Sequence, residues 1–136
     1  MNLSGSCLCG SVTYTCSSDP VFAGNCHCLD CKRASGSGYA PTFFVSENAI
    51  TISGEVKYYE RMGNSGHLAR RGFCPNCGSQ LFGKPEAMPG LIAVRAGSLN
   101  DPSQYKPQAD IFISRAPAWD SMDSALPKFS EMSPRK

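Results

Sequence analysis

Long hydrophobic runs are missing from this chain of 136 residues. No stretch approaches the roughly 18 apolar residues needed to cross a bilayer, so a membrane-spanning role is not expected. Strong charge of one sign is missing too. The formal net charge is +2, which offers no bulk attraction for nucleic acid. Met1 to Gly10 lacks a basic region followed by an apolar run, so no secretory signal is read there and a cytoplasmic protein is expected. Histidine is limited to His27 and His67, and tryptophan to Trp119. No amphipathic helix longer than about two turns is visible. What is plentiful is Gly (13), Pro (10) and Cys (8). In a reducing compartment, cysteines read as metal ligands or reactive thiols before disulfides.

Short strands account for most of the pattern. Ser11 to Cys16 alternates polar and apolar residues, as a half-buried strand does. Leu29 to Ser35 predicts a short helical turn that Gly36 and Gly38 end. Tyr39–Val45, Ile50–Ile52, Val56–Tyr59, Leu91–Ala96 and Asp110–Ser114 complete the strands, with a turn at Gly63-Asn64-Ser65-Gly66, while His67–Phe73 leads into the cysteine pair at 74 and 77 and Ser79–Phe82 leaves it. The pattern predicts a mainly β domain over residues 1–120. Residues 121–136 read as a loosely ordered tail with one docked hydrophobe, Leu126 or Phe129.

Seven of the eight cysteines are clustered. Cys74-Pro75-Asn76-Cys77-Gly78 is a knuckle: two cysteines three apart in a tight turn present both sulfurs to one ion. A knuckle needs a second pair, and Cys7 with Cys9 is the best candidate. That closed set of four is read as a structural zinc site that staples a small β domain. Cys26, Cys28 and Cys31 form the second group and can face one ion together. His27 lies between two ligands and points away in extended chain, toward a supporting partner or a substrate. The fourth position is left to water, a substrate thiol, His67 or Asp30. Three thiolates make zinc a weak Lewis acid but suit a soft ligand. The chemistry therefore points to making or breaking carbon–sulfur bonds rather than to hydrolysis. Cys16 reads as a small buried hydrophobe.

The runs Gly5–Val12, Cys26–Gly36 and Phe73–Phe82 resemble those of the glutathione-dependent formaldehyde-activating enzyme and centromere protein V family. The resemblance covers about residues 3–120. It implies a zinc-ribbon-like β-tent of short antiparallel strands and two zinc ions per chain. One would be structural on Cys7, Cys9, Cys74 and Cys77, and the other catalytic on Cys26, Cys28 and Cys31. It implies a carbon–sulfur lyase, with formaldehyde condensing with glutathione to S-(hydroxymethyl)glutathione as the named activity. The shared motifs hold metal and do not read glutathione, so the expected substrate is a small thiol adduct, glutathione's among them.

A substrate with carboxylates calls for basic residues near the site. Lys32, Arg33, Arg70 and Arg71 are candidates, and so is Arg95, whose charge stands in an apolar strand. Its alternative is an ion pair with Asp110 or Asp120. Tyr39, Phe43 and Phe44 read as core, and Trp119 as a possible pocket wall. Two other readings compete. A binding or scaffold module would need only structural zinc. A redox role would need a lone reactive cysteine with a resolving partner, and Cys16 does not fit it.

Overall fold

Alternation decides the first strands. From Thr13 to Cys16 the side chains are in turn exposed and buried, so one face of this strand enters the core and the other meets water. The computed structural model describes residues 2–63 and 66–132. Its strands are β1 (Leu3–Ser6), β2 (Thr13–Cys16), β3 (Phe22–Cys26), β4 (Ala40–Ser46), β5 (Ile50–Ser53), β6 (Lys57–Met62), β7 (Leu68–Phe73), β8 (Gln80–Pro85), β9 (Leu91–Arg95) and β10 (Ala109–Ile111). One helix, α1 (Leu29–Ser35), follows β3. Gly36 ends it in the left-handed conformation, φ 71°, which glycine adopts at little cost. Asn64 and Ser65, in the turn read at 63–66, lie outside the described residues.

Two sheets result. The small one has the order β1-β2-β5, and the large one β10-β3-β4-β9-β8-β7-β6. Described strand pairs are antiparallel except β10 with β3, which is parallel. β1 and β3 were not read as strands from the sequence. Neither has strong β propensity, and each is fixed by its neighbours. Gly5 of β1 lies so close to Tyr14 that a Cβ there would come 2.3 Å from the phenol oxygen. β3 is held between β4 and β10.

The middle of the large sheet is buried on both sides. Phe43, Val45, Ile92 and Val94 point into the main core with Leu3, Val12, Tyr14, Leu81 and Phe82. Tyr14 meets Phe82 edge to face at 5.6 Å, a favoured aromatic geometry. Alternate residues Ala40, Thr42, Phe44, Ala93 and Arg95 belong to the opposite face. There a second cluster joins Cys26, Cys31, Ala40, Ala109 and Ile111, with Phe112, Phe129 and Met132 against it.

The chain after β10 closes this second face. Phe112 has φ 57°, unusual for a bulky residue and strained by about 1–3 kcal/mol. Residues 127–131 run beside β10, with Phe129 N donating to Asp110 O and Phe112 N to Glu131 O, both at 2.9 Å. Phe129, one of the two hydrophobes expected to dock, packs on the second cluster. Among the described residues, no helix is long and apolar enough to cross a membrane.

Candidate metal centres and the adjoining pocket

The four-cysteine group is built from two matching turns. Cys7 and Cys9 stand between β1 and β2, and Cys74 and Cys77 between β7 and β8. In the first turn Gly10 N donates to Cys7 O, and in the second Gly78 N donates to Cys74 O. Both glycines have positive φ, 83° and 77°, so each turn has the residue it requires. The four sulfurs lie within 4.8 Å of one another. Cys7 and Cys9 are 3.6 Å apart and Cys9 and Cys74 3.8 Å. Polar groups surround them. Ser11 Oγ is 3.0 Å from Cys9 Sγ, Asn76 Nδ2 donates to it at 3.2 Å, and Ser79 Oγ is 3.1 Å from Cys77 Sγ. These hydrogen bonds, with Ser11 the largest influence on Cys9 and Ser79 on Cys77, lower their thiol pKa values to about 7 and about 5.

The three-cysteine group is local. Cys26 ends β3, Cys28 caps α1, and Cys31 is in its first turn. Cys31 N donates to Cys28 Sγ at 3.3 Å, so the thiolate that could bind an ion also satisfies a free amide of the helix start. The three sulfurs again lie within 4.8 Å. Arg71 and Arg95 both approach Cys31 Sγ at 3.9 Å. The Cys31 thiol is held far below its ordinary pKa, first by hydrogen bonds with Cys26 and Cys28. Burial opposes this, and the charges of Arg95 and Arg71 add to it. Burial works against the charge of Arg71, but the Cys31 charge and hydrogen bond, with Cys28 and Asp30, together outweigh it and keep that guanidinium firmly protonated.

A cavity of about 180 Å³ opens beside Cys26 and Cys31. Arg70, Arg71, Lys84 and Arg95 are its basic residues, and Phe44, Ala93, Ile111, Phe112 and Met88 its apolar ones. Arg95 is held in place by Thr42 Oγ1 at 2.6 Å and Gln80 Oε1 at 3.1 Å.

The sequence model of a family described as glutathione-dependent formaldehyde-activating enzyme matches residues 2–115. The chain belongs to that family. No curated protein matches it. A crystal structure of a Rhodobacter sphaeroides protein, solved as a structural-genomics target, is similar at 22% identity, covering 71% of this chain and 87% of that one with a TM-score of 0.58. At that identity the likeness speaks for the fold.

The sulfur positions fit the metal that the formaldehyde-activating family implies. Zinc–sulfur bonds of about 2.3 Å in a tetrahedron put the sulfurs about 3.8 Å apart. The separations of 3.6 and 3.8 Å match this and are far beyond the roughly 2.05 Å of a disulfide. Cys16 stands apart, buried in β2 with its Sγ toward Ser18 O. Both groups can therefore hold a metal ion. The described candidates for a fourth ligand at the three-cysteine group are engaged elsewhere. Asp30 pairs with Arg61 at 3.6 Å and His67 with Glu86 at 3.5 Å.

The basic and aromatic residues expected around the site of this family member divide sharply. Arg95 lines the cavity, as do Arg70 and Arg71. Its alternative partners Asp110 and Asp120 are not beside it; they bracket His27 instead. His27 is fully buried, with Nε2 3.0 Å from Asp110 Oδ1 and Nδ1 2.7 Å from Asp120 Oδ2. The second contact is close but is not an aligned hydrogen bond. His27 therefore has no surface to offer a substrate and braces the cysteine loop from behind. Lys32 donates to the Arg115 carbonyl, Arg33 is exposed on α1, and Trp119 is 74% exposed with its ring over Gly38. None of these four lines the cavity.

Sequence reasoning did not assign Thr42, Lys84 or Phe112 to the pocket, or Asp110 and Asp120 to His27. For Asp110 a signal was present: a carboxylate between Ala109 and Ile111, as anomalous as Arg95 between Val94 and Ala96. Burial works against its charge, but His27, Asn25 and Lys128 outweigh it and hold its carboxyl below the usual range.

Proposed function

We propose that the three-cysteine group holds a zinc ion and that the protein makes and breaks a carbon–sulfur bond in an adduct of a small thiol, glutathione's with formaldehyde being the family's example. A second zinc on the four-cysteine group holds the fold. The observation that carries this reading is a cluster of three sulfurs, with no described His, Asp or Glu completing it, at the wall of a cavity that two arginines enter. A bound zinc would supply a soft site at which a substrate thiol loses its proton. The chain's own residues do the rest. Arg71 and Arg95 offset the negative charge that thiolates gather and attract the carboxylates of the incoming thiol. The apolar wall from Phe44 to Phe112 limits water at the reacting carbon.

The reaction balances without an oxidant. The thiol sulfur bonds to the aldehyde carbon, and the carbonyl π pair takes the proton that the thiol gave up. The reverse step returns both. A purely structural scaffold would have no use for an arginine pair aimed at one of its sulfurs. We assign the protein to the cytoplasm, where thiols are reduced, and its partners to small molecules rather than nucleic acid or membrane.

Exchange NMR on ¹³C-formaldehyde with glutathione tests this. The zinc-loaded protein should speed interconversion of free aldehyde and adduct above the spontaneous rate, and Cys28→Ser should abolish the gain. A spontaneous rate with fully loaded protein would sink the lyase reading for this pair.

A further inference from the structure

One row of residues crosses the large sheet beside the three-cysteine group. Phe22 pairs with Phe44, Phe44 with Ala93, Ala93 with Gly83, and Gly83 with Arg71. The row runs from two aromatic rings to a guanidinium, with the two smallest side chains between them. Ala93 and Gly83 leave the space, and the cavity of about 180 Å³ occupies it. Cys31 and Arg71 meet at the guanidinium end, 3.9 Å apart.

Such a hollow is larger than a hydroxymethyl group needs, and away from its basic side chains, Arg70, Arg71, Lys84 and Arg95, its walls do not suit the polar groups of glutathione. Amides and carboxylates pressed against Phe44, Ala93, Ile111 and Met88 would lose hydrogen bonds to water without replacement. A second cavity, of about 470 Å³, is better suited to them. Ser35, Ser37, Tyr39 and Gln80 line it, and it shares Arg95 with the first. The polar half of a thiol adduct thus has its own place, which leaves the apolar hollow for another group. An apolar cavity of about 150 Å³ admits benzene, so this one has room for a phenyl ring.

We propose that the adducts handled here carry an apolar substituent of about the size of a phenyl ring on the carbon bonded to sulfur, seated over Ala93 and Gly83. The inference rests on the reading of the three-cysteine group as a carbon–sulfur centre, and names its substrate class. The carbonyl partner is then an aromatic or branched aldehyde. Its carbon gains the thiol sulfur, its oxygen gains the thiol proton, and the reverse step releases both.

Calorimetry on the zinc-loaded full-length protein tests it with two thioethers, S-methylglutathione and S-benzylglutathione, the second mimicking a benzaldehyde adduct without its hydroxyl. The benzyl compound should bind about tenfold tighter or more, as expected for burying a ring. Gly83→Leu should bring that ratio close to unity. A Cβ at position 83 meets nothing nearer than Ala93 Cβ at 3.5 Å and Arg70 O at 3.9 Å, so the strand accepts the side chain and the hollow is filled. Ala93→Val, from the neighbouring strand, is the second variant should Gly83→Leu not fold. Equal affinity of the two thioethers for the unaltered protein would overturn this inference and leave the carbon–sulfur reading intact. A ratio that survives both variants would also overturn it. Binding of neither compound would overturn both.

Discussion

The two sulfur groups are alike in their ligand atoms and opposite in their construction. The four-cysteine group draws one turn from the small sheet and one from the large, and brings Cys9 within 3.8 Å of Cys74. Its neighbours are the short polar side chains of Ser11, Asn76 and Ser79. The three-cysteine group is closed within six residues, and its neighbours are two arginines and a cavity. A metal in the first would join segments that the chain alone leaves far apart. A metal in the second would join almost nothing that β3 and α1 do not already hold. On the proposed reading, the same ligand type serves architecture when its donors come from distant segments, and chemistry when they come from one segment at the edge of a hollow.

That contrast predicts a large asymmetry. Cys74→Ser should cost the protein its fold, because structural zinc contributes energy of the same order as the whole stability of a small domain. Cys28→Ser should lower the zinc content by about one per chain and leave a cooperative thermal transition. Metal analysis and calorimetry on the two variants side by side make the test. Unfolding of both would erase the distinction.

His27 sharpens the comparison at the next level. It is buried between the carboxylates of Asp110 and Asp120, so His27→Ala strips Asp120 of its described side-chain partner, leaves Asp110 to Asn25 and Lys128, and should destabilise by about 3 kcal/mol. Denaturant unfolding measures it. His27→Gln, which can still donate to Asp110, should recover part of the loss. A stability unchanged by either variant would mean that this brace holds nothing.

Smaller effects should fall on binding alone. Arg71→Met keeps the stem and removes the charge beside Cys31, so affinity for S-methylglutathione should drop about tenfold with zinc content unchanged. Isothermal titration reads the first and metal analysis the second. Smallest of all, Cys16→Ala should cost about 1 kcal/mol through a small cavity and move neither zinc nor binding. Loss of metal in that variant would show that the eighth cysteine belongs to a cluster after all.

The sequence disclosed the parts of this molecule whose constraints are local. The Cys74–Gly78 knuckle was legible because it needs cysteines at fixed spacing and a glycine with positive φ, and Cys7 with Cys9 followed as the pair it lacked. β2 was legible because one of its faces is wet. α1 was legible from Gly36. The parts set by packing were not. β3 reads as Phe-Ala-Gly-Asn-Cys and gains its strand only between β4 and β10. The parallel pairing of β10 leaves no periodic trace. The pocket was half legible: Arg95 in an apolar strand announced itself, while Gly83 and Ala93 matter for the bulk they lack, and only the register shows what faces them. Lys32 and Arg33 do not line the cavity: proximity to Cys31 in the chain is not proximity to the cavity once α1 turns them outward.

The parallel pairing of β10 with β3 has a bearing on the order of synthesis. All four cysteines of the stapling group have been made by residue 77, so that group can close early. β3 carries the first ligand of the other group, yet it waits through some eighty further residues for β10, and β10 in turn for residues 127–131 to cover it. Until residues 127–131 emerge, the second set of thiols therefore lies on an unfinished sheet edge, able to take metal but without the wall beside it. Residues 127–131 thus cover a sheet edge whose cysteines were made long before them.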